Sequence, residues 1–415
     1  MDITLKSRPK PGGTVSAPVS KSEAHRALIC AALSDSPSLV RFSGTNDDIE
    51  ATKGALCALG AKIVEANDGL EVSPIAIPER GRIIDCRESG STLRFMLPVA
   101  AALGADCSFD GSGRLPERPL SPLYELMTAN GVILGEKGKM PLSCSGRLRG
   151  GSFDIDGSVS SQFITGLLLA SPLIGDGVTV NVTGRLESRP YIDITLSVMR
   201  RFGITVIQNG NSYTVSGSYR SPGEITVGGD WSSAAFWLSA GVLSDKPVSV
   251  TGLDIRSAQG DRKIVECLSA LGGMIEVSED KVTAFPSKLT GRRLDCADIP
   301  DLVPVLSVAA AFAGGETVFD NVARLRSKES DRILSVISML EGFGIYATAG
   351  ENTLTVRGGS PRGDSVHSFS DHRIAMSGAI LALCSGCDCT VKGAECVSKS
   401  YPGFPDDLES LAHAD

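Results

Sequence analysis

Residues 157–163 read Gly-Ser-Val-Ser-Ser-Gln-Phe and stand directly before a long apolar run. A helix needs one capping side chain, so a single serine would be enough. Ser158, Ser160, Ser161 and Gln162 instead offer three hydroxyls and an amide at a predicted helix start. More polar side chains stand here than capping requires, which makes this helix start a candidate site. The alternative is that the serines only cap the helix.

Cations recur at other predicted helix starts, although the helix dipole favours anions there. Lys21, Arg26, Arg94 and Arg373 are predicted on the first turns of otherwise apolar helices. Lys or Arg beside a helix start can bind phosphate or carboxylate. Several such starts facing one cleft would hold more than one anion.

Carboxylates stand at equivalent turns of the chain. Asp301 follows Ile-Pro, Lys328 and Glu329 are adjacent, and an Asp-His-Arg triplet covers residues 371–373. Three alternatives are a cap for Asp301, a solvated face for Lys328 and Glu329, and a local salt-bridge network for the triplet. Recurrence of these residues at equivalent places favours a site.

Those places are equivalent because the chain repeats. Five glycines recur with a period of about 70 residues, at Gly60, Gly131, Gly203, Gly272 and Gly344. In each copy an apolar helix is followed by a short strand, by an amphipathic helix that ends at the glycine, and by a further β-like run. A glycine there can adopt the left-handed conformation that ends a helix. The final copy starts at His372, which makes six copies.

The repeats predict the fold class. An apolar helix requires burial on all sides, so three copies can bury three helices behind three small sheets. Six copies therefore predict an α/β protein with two globular domains. One doubly wound sheet is the alternative, but its helices would alternate singly with strands.

Composition excludes several classes of function. The chain has 415 residues, a net charge of −8 and only 5% aromatic residues, which argues against nucleic-acid and membrane-surface binding. We expect a cytoplasmic protein, because no secretory signal or membrane-spanning run is recognisable. Eleven scattered cysteines fit a reducing compartment. Cys384, Cys387 and Cys389, with Cys396 downstream, are interpreted as buried thiols between a helix and a strand rather than as a metal site.

Nine motifs in a fixed order carry a resemblance. They are SKSEAHRAL, SGSTLR, LPERP, GSVSSQF, SRPYIDIT, IPD, KESDR, DHRIAM and SKSYPGFPD. Through them nearly the whole chain resembles the 5-enolpyruvylshikimate-3-phosphate synthase family of enolpyruvyl transferases.

The resemblance implies two inverse α/β-barrel-like domains, each of three βαβαββ-type repeats. One would contain residues 1–19 plus 229–415 and the other residues 20–228, with hinges near Val19 and Gly228 and the active site in the cleft between them. The implied partners are shikimate 3-phosphate, which binds first, and phosphoenolpyruvate. No metal or organic cofactor is implied, and a monomer is expected.

The resemblance also assigns residues to each substrate. Shikimate 3-phosphate would contact Lys21, Ser22, Arg26, Ser160, Ser161, Gln162, Ser188, Tyr191, Asp301 and Lys328. Phosphoenolpyruvate would contact Lys21, Gly90, Arg94, Arg118, Gln162, Arg332, Arg373 and Lys399.

The implied reaction is addition followed by elimination. The 5-hydroxyl of shikimate 3-phosphate attacks C2 of phosphoenolpyruvate while C3 is protonated, and the intermediate then loses phosphate and a C3 proton. Asp301 is the candidate base, assisted by Lys21. Glu329 is the candidate acid, with Lys328 beside it on the phosphate and His372 tuning the pair. Nearby cations lower a carboxylate pKa and burial raises it, and the residues alone leave that balance open.

Three positions depart from the family pattern. Many relatives carry Asn at the positions of Glu88 and Arg324 and Pro at the position of Phe95. A carboxylate at Glu88 would repel phosphoenolpyruvate unless an arginine such as Arg94 pairs with it.

Three rival functions agree less well with the residues. A UDP-N-acetylglucosamine enolpyruvyl transferase would open with Lys-Asn and carry a cysteine in residues 111–120, and neither is present. An RNA-binding protein conflicts with the charge. A non-catalytic anion-binding relative would need the cations but not Asp301 and Glu329.

Overall fold

The computed structural model describes residues 1–6, 10–175, 178–279 and 281–412. It divides into two compact units. We call Val19–Val227 the continuous unit, and Met1–Pro18 together with Gly228–Asp415 the split unit. Both units mix helices with small sheets.

Helices occur in pairs along the described residues. They are α1 (Lys21–Ala32), α2 (Asp47–Ala58), α3 (Gly90–Leu103), α4 (Leu123–Ala129), α5 (Ser161–Ile174), α6 (Arg189–Arg201), α7 (Trp231–Leu243), α8 (Ile264–Ala270), α9 (Val303–Ala311), α10 (Arg332–Glu341), α11 (His372–Ser385) and α12 (Phe404–Ala412).

Strands of three to six residues separate the helices. They are β1 (Ile3–Leu5), β2 (Gly13–Ser16), β3 (Ser38–Arg41), β4 (Lys62–Ala66), β5 (Gly69–Ser73), β6 (Ile83–Asp85), β7 (Cys107–Asp110), β8 (Val132–Leu134), β9 (Leu142–Gly146), β10 (Ser152–Asp156), β11 (Val178–Thr183), β12 (Thr205–Asn209), β13 (Ser212–Ser216), β14 (Glu224–Thr226), β15 (Val248–Thr251), β16 (Met274–Val277), β17 (Lys281–Phe285), β18 (Arg293–Asp295), β19 (Glu316–Asp320), β20 (Tyr346–Ala349), β21 (Thr353–Arg357), β22 (Ser365–His367) and β23 (Cys389–Lys392).

The described strands form six small sheets with one recurring pattern, rather than a doubly wound sheet. In each sheet a lead strand runs parallel to the strand that follows a buried helix, as β6 does with β7. In five sheets an antiparallel hairpin completes four strands, and the sixth has the order β1-β23-β22. Two lead strands come from far along the chain. Strand β14 pairs with β3 inside the continuous unit, and β2 pairs with β15 inside the split unit.

The five repeated glycines end helices, as predicted. Their φ angles are +108° at Gly60, +93° at Gly131, +80° at Gly203, +99° at Gly272 and +70° at Gly344. An L-residue with a Cβ rarely adopts this left-handed conformation. The glycine therefore turns the chain from each amphipathic helix into the next hairpin.

The apolar helix of each repeat is buried and positions the site. In α7 and α11 nearly every side chain is buried. Cys384 lies in α11 and Cys389 begins β23, and both are buried. In the described residues, no group of three or more His, Cys, Asp or Glu could hold a metal ion. No helix in the same ranges is long and apolar enough to cross a membrane.

Candidate active site

The predicted site residues form two groups, one in each unit. The cradle group, in the continuous unit, consists of Lys21, Ser22, Arg26, Gly90, Arg94, Arg118, Ser160, Ser161, Gln162, Ser188 and Tyr191. The carboxylate group, in the split unit, consists of Asp301, Lys328, Glu329, Arg332, His372, Arg373 and Lys399. Most members lie at or beside helix starts.

The opening serines have different positions. Ser160 is the N-cap of α5, and its Oγ accepts a hydrogen bond from the Gln162 backbone N–H at 3.3 Å. Ser161 is the first residue of the helix and is buried. One serine therefore caps the helix, and Ser161 adds a second hydroxyl where the dipole favours an anion.

Gln162 joins two helices. Its Oε1 accepts from Arg94 Nη1 at 2.7 Å, and its Nε2 donates to Ser91 Oγ at 2.9 Å. Gly166, one turn later on α5, makes this possible, because a Cβ there would overlap the Arg94 backbone carbonyl. The close approach of α5 to α3 thus brings the predicted cradle beside the predicted phosphoenolpyruvate residues.

Gly90 lies between two guanidinium groups. A Cβ at this position would be 2.7 Å from Arg118 Nη1 and 2.9 Å from Arg94 Nη1. Gly90 is also the first residue of α3, whose N-cap is Ser89. Two cations and a helix start therefore converge on a backbone with no side chain, which is an arrangement suited to a small anion.

The prediction that all four helix-start cations lie on first turns is wrong for Arg26 and Arg94. Ser20 and Ser89 cap α1 and α3, so the helices begin at Lys21 and Gly90, and both arginines fall in the second turn. Their long side chains still reach the helix start, because helical side chains point toward the N-terminus.

Arg26 is held by neutral groups. It donates to Thr195 Oγ1 at 2.7 Å and to the backbone carbonyls of Ser22 and Tyr191 at 2.5 and 3.0 Å. Its guanidinium lies 4.9 Å from the centre of the Phe95 ring. Burial lowers the pKa of Arg26 to about 10, so it remains charged at neutral pH. Phe95, one of the three departures, thus supports a predicted binding residue.

Lys21 has a carboxylate partner that sequence reasoning missed. Its Nζ is 3.0 Å from Asp48 Oδ2, and both side chains are largely buried. Asp48 lies in the first turn of α2, where an acidic residue is common. Only the packing of α2 on α1 distinguishes it from its neighbour Asp47.

Ser188 is in a strained conformation. Its φ is +56°, and it is the buried N-cap of α6 without a side-chain capping bond. A serine rarely adopts this region, and such strain is concentrated at functional sites. The geometry is compatible with the predicted phosphate contact.

Glu88, the second departure, packs on a glycine. A Cβ at Gly113 would overlap the Glu88 carboxylate. Arg94 donates to Gln162 Oε1 and to the Pro119 carbonyl.

In the split unit, Arg332 is the centre of the carboxylate group. Its side chain lies 2.8 Å from Asp301 Oδ1, 2.6 Å from Glu329 Oε2 and 2.8 Å from Asp371 Oδ2. Burial lowers the pKa of Arg332, but these three carboxylates raise it above its ordinary value. The guanidinium is therefore permanently charged and fixes both candidate acid–base residues.

Asp301 is not a helix cap. It lies in the short 3-10 helix Pro300–Leu302 before α9, and its Oδ2 is 3.0 Å from Arg373 Nη2. Burial raises the pKa of its carboxyl, but Arg373, Lys328 and Arg332 lower it more, so the pKa is well below its usual range. The sequence left open whether burial or nearby cations would determine the pKa of Asp301. In the structure the effect of the cations is larger.

The remaining members are partly or fully buried. Lys328 and Glu329 are half-buried rather than on a solvated face. Burial lowers the pKa of the Lys328 ammonium to about 8. His372 begins α11, and Lys399 ends the 3-10 helix Ala394–Lys399; both are buried. Arg324, the third departure, donates to the Ala297 carbonyl.

The triplet 371–373 is not a local network. Asp371 caps α11 by accepting from the Arg373 backbone N–H, while its carboxylate binds Arg332. The Arg373 side chain pairs with Asp301. Sequence reasoning missed Asp371 as a site member, because its partner is 39 residues away.

A third residue that sequence reasoning missed, after Asp48 and Asp371, is Asp261. It is buried beside Ser232, whose hydroxyl donates to Oδ2. Burial raises the pKa of its carboxyl to about 7, and the charge of Asp301 adds to the effect. No sequence signal distinguished Asp261 from an ordinary surface acid.

Solved structures of other proteins have the same architecture. The structure matches EPSP synthase from Acinetobacter baumannii with a TM-score of 0.80 and 25% identity, covering 99% of this chain and 98% of that one. It also matches the enolpyruvyl transferase NikO from Streptomyces tendae with a TM-score of 0.81 and 19% identity, covering 99% and 97%. The fold is therefore that of the enolpyruvyl transferases.

Sequence comparison narrows the class to one family. The sequence model of the family EPSP synthase (3-phosphoshikimate 1-carboxyvinyltransferase) matches residues 7–408 of this chain. The 3-phosphoshikimate 1-carboxyvinyltransferase of Clostridium kluyveri is 42% identical, covering 96% of this chain and 95% of that protein, and that of Clostridium acetobutylicum is 39% identical with the same coverage. The chain belongs to the EPSP synthase family.

The predicted family and enzyme class are thereby confirmed over the rivals. The activity is that of a 3-phosphoshikimate 1-carboxyvinyltransferase, a transferase of the shikimate pathway.

Proposed function

We propose that the two groups act together on shikimate 3-phosphate and phosphoenolpyruvate, transferring the enolpyruvyl group to the 5-hydroxyl and releasing phosphate. The cradle group would hold the phosphate of shikimate 3-phosphate at Ser160, Ser161 and Ser188. Gln162 would contact a ring hydroxyl, and Lys21, Ser22, Arg26 and Tyr191 would complete that site.

Gly90 is the observation that carries the proposal. Its bare backbone between Arg94 and Arg118 offers N–H groups and two guanidinium groups to one small anion. Phosphoenolpyruvate has a carboxylate and a phosphate, and arginine binds either group through its two-pronged fork. Arg332, Arg373 and Lys399 would supply the remaining positive charge.

Asp301 would accept the proton of the 5-hydroxyl as oxygen attacks C2, while Glu329 delivers a proton to C3. In the elimination step Glu329, now a carboxylate, would take back a C3 proton as phosphate departs, with Lys328 at the phosphate. The lowered pKa of Asp301 supports its role, because the group is ionised and can accept a proton. Substrate anions that bind Arg332 and Arg373 would weaken their hold on Asp301, which would raise its pKa toward that of an effective base.

Phosphate release tests the reaction. The purified chain is mixed with both substrates and with each omitted, in EDTA. We expect release only with both substrates present, and release in EDTA would support a reaction that needs no metal. No release from protein that binds shikimate 3-phosphate in calorimetry would contradict the proposed acid–base assignment.

Gly90→Ala tests the position of phosphoenolpyruvate. The methyl group would displace the Arg118 and Arg94 guanidinium groups, so KM for phosphoenolpyruvate should rise by about tenfold, the loss of roughly one good hydrogen bond. The dissociation constant of shikimate 3-phosphate should stay unchanged. Gly54→Ala is the control, because its Cβ would meet nothing within 4 Å. Equal effects on both substrates would argue against the assignment.

The finer architecture, two inverse α/β-barrel-like domains of three repeats each, belongs to this proposal, as do the cytoplasmic location and the monomeric state. The recurring strand pattern of the six sheets supports the first of these. Light scattering on the purified chain would test the last.

A further inference from the structure

A chain of buried hydrogen bonds leads from α1 to the cap of α3. His25 Nδ1 lies 2.7 Å from Thr52 Oγ1, and Thr52 Oγ1 lies 2.7 Å from Thr92 Oγ1. Thr92 Oγ1 donates to Ser89 Oγ at 2.9 Å. All four residues are completely buried, so solvent cannot replace a missing link.

The direction of each bond in this chain is determined. A hydroxyl has one proton, and Thr92 uses its proton toward Ser89. Thr92 must therefore accept from Thr52, and Thr52 must accept from His25. His25 then carries its proton on Nδ1, which leaves Nε2 as the unprotonated nitrogen, and Nε2 is the buried ring atom without a hydrogen-bond partner. Burial lowers the pKa of His25 to about 3, so the imidazole stays neutral and this tautomer is kept.

The chain of hydrogen bonds ends at Ser89, directly before Gly90, the first of the predicted phosphoenolpyruvate residues on α3. Ser89 Oγ also accepts from the Thr92 backbone N–H at 3.2 Å, which is the capping bond of α3. The next residue is Gly90, and Ser91 and Arg94 follow in the first two turns of α3. A shift of the Ser89 cap would therefore move the backbone between the two guanidinium groups.

Two side-chain contacts, one turn apart, join α1 to α2. Lys21 pairs with Asp48, and one turn further along both helices His25 pairs with Thr52. Thr52 also contacts Thr92 of α3. The helix that begins at Lys21 and the helix that begins at Gly90 are thus linked by the neutral, buried side chains of His25, Thr52 and Thr92.

We propose that His25, Thr52 and Thr92 are positioning residues that set the start of α3, and through it the affinity for phosphoenolpyruvate. This inference rests on the proposed placement of phosphoenolpyruvate at Gly90. In this proposal the three residues act through the Ser89 cap and not by contact with substrate.

The test is steady-state kinetics of Thr52→Val, which keeps the shape of the side chain and removes the middle hydroxyl. We expect KM for phosphoenolpyruvate to rise by about tenfold, as for the loss of one to two buried hydrogen bonds. KM for shikimate 3-phosphate should change less than about twofold, because the chain of hydrogen bonds does not include Ser160, Ser161 or Ser188.

Two further variants and a control make the result specific. Thr92→Val should repeat the effect, whereas Thr92→Ser, which keeps the hydroxyl, should restore KM for phosphoenolpyruvate. His25→Asn keeps a donor and should be milder than His25→Leu. Ser171→Ala removes another buried hydroxyl of the continuous unit, one that only bonds the Leu167 carbonyl of its own helix, and should leave both KM values unchanged.

Unchanged KM for phosphoenolpyruvate in Thr52→Val and Thr92→Val, with an active wild-type enzyme, would overturn the inference. An equal rise of both KM values, or a fall in kcat alone, would also overturn it, since either indicates a general structural role. If Thr52→Val does not fold, the Thr92→Val and Thr92→Ser pair decides. Wild-type protein that releases no phosphate would contradict the proposed function instead, so the two failures are distinguishable.

Discussion

The two units hold their buried arginines in opposite ways. In the continuous unit Arg26 and Arg94 donate to hydroxyls, an amide oxygen and backbone carbonyls. In the split unit Arg332 is bound by three carboxylates, and Arg373 pairs with Asp301. Neutral partners fix a guanidinium without cancelling its charge, so the first arrangement attracts anions. Carboxylate partners offset part of the charge and hold the candidate acid–base groups against cations, which keeps Asp301 ionised and able to accept a proton.

Lys21 is the exception that sharpens this contrast. It lies in the cradle group but pairs with Asp48, as the split-unit cations do. Its proposed role in assisting Asp301 agrees with that pairing, since the carboxylate holds the ammonium group in one position.

The largest effect should come from Glu329→Gln. If the carboxylate group moves protons, kcat should fall by about a thousandfold, within the range for a lost general acid. Binding of shikimate 3-phosphate in calorimetry should be almost intact. Glu341→Gln, on the exposed end of α10, is the control. Loss of binding with normal turnover of bound substrate would reverse the roles of the two groups.

Arg332→Met tests the charge balance through stability. It would remove the cation that Asp301, Glu329 and Asp371 share, although Asp301 would keep its pair with Arg373. Breaking the buried pair with Asp371 should lower the free energy of unfolding by about 3–5 kcal/mol. Both tryptophans lie buried in α7 of the split unit, so their fluorescence in urea reports its unfolding. Arg293→Met, which breaks an exposed pair with Asp320, should cost at most about 1 kcal/mol. Similar losses in the two variants would contradict the proposed dependence of the split unit on its buried arginine.

Ser161→Ala and Gln162→Ala should weaken binding of shikimate 3-phosphate, each by about tenfold as hydrogen bonds to a charged ligand are lost. Turnover at saturation should change less than binding. Titration calorimetry measures the first quantity and the phosphate assay the second. A normal dissociation constant with reduced kcat would place these residues in the chemical step rather than in the cradle.

The smallest effect is a pH dependence from Lys328. Its pKa is lowered to about 8, so the charged form is lost above that pH, and kcat/KM for phosphoenolpyruvate should fall there by up to tenfold per pH unit. Lys328→Arg keeps its charge and should remove this alkaline limb. A limb that persists in the variant would assign it to another group.

The sign for stability is opposite to that for activity. Lys328 has a lower pKa when folded than its ordinary value of 10.5. Burial of its charge therefore destabilises the fold fully below pH 8, and this penalty disappears between pH 8 and 10.5. Lys328→Met should abolish that rise in stability with pH.

What the sequence by itself determined was local or periodic. The five glycines, the apolar helices and the Ser-Ser-Gln start could be predicted because helix periodicity, caps and left-handed glycines depend on a few neighbouring residues. The family was recognisable because its motifs occur in a fixed order. Even the serine capping role was visible, although not that Ser160 caps while Ser161 does not.

Only the tertiary structure decided which residues meet. Asp48 could not be chosen over Asp47, nor Asp371 assigned to Arg332, because packing brings together residues that are 27 and 39 positions apart. The chain from His25 to Ser89 crosses three helices for the same reason. The pKa of Asp301 likewise depended on the distances to Arg332 and Arg373, since electrostatic interaction falls with separation and grows with burial.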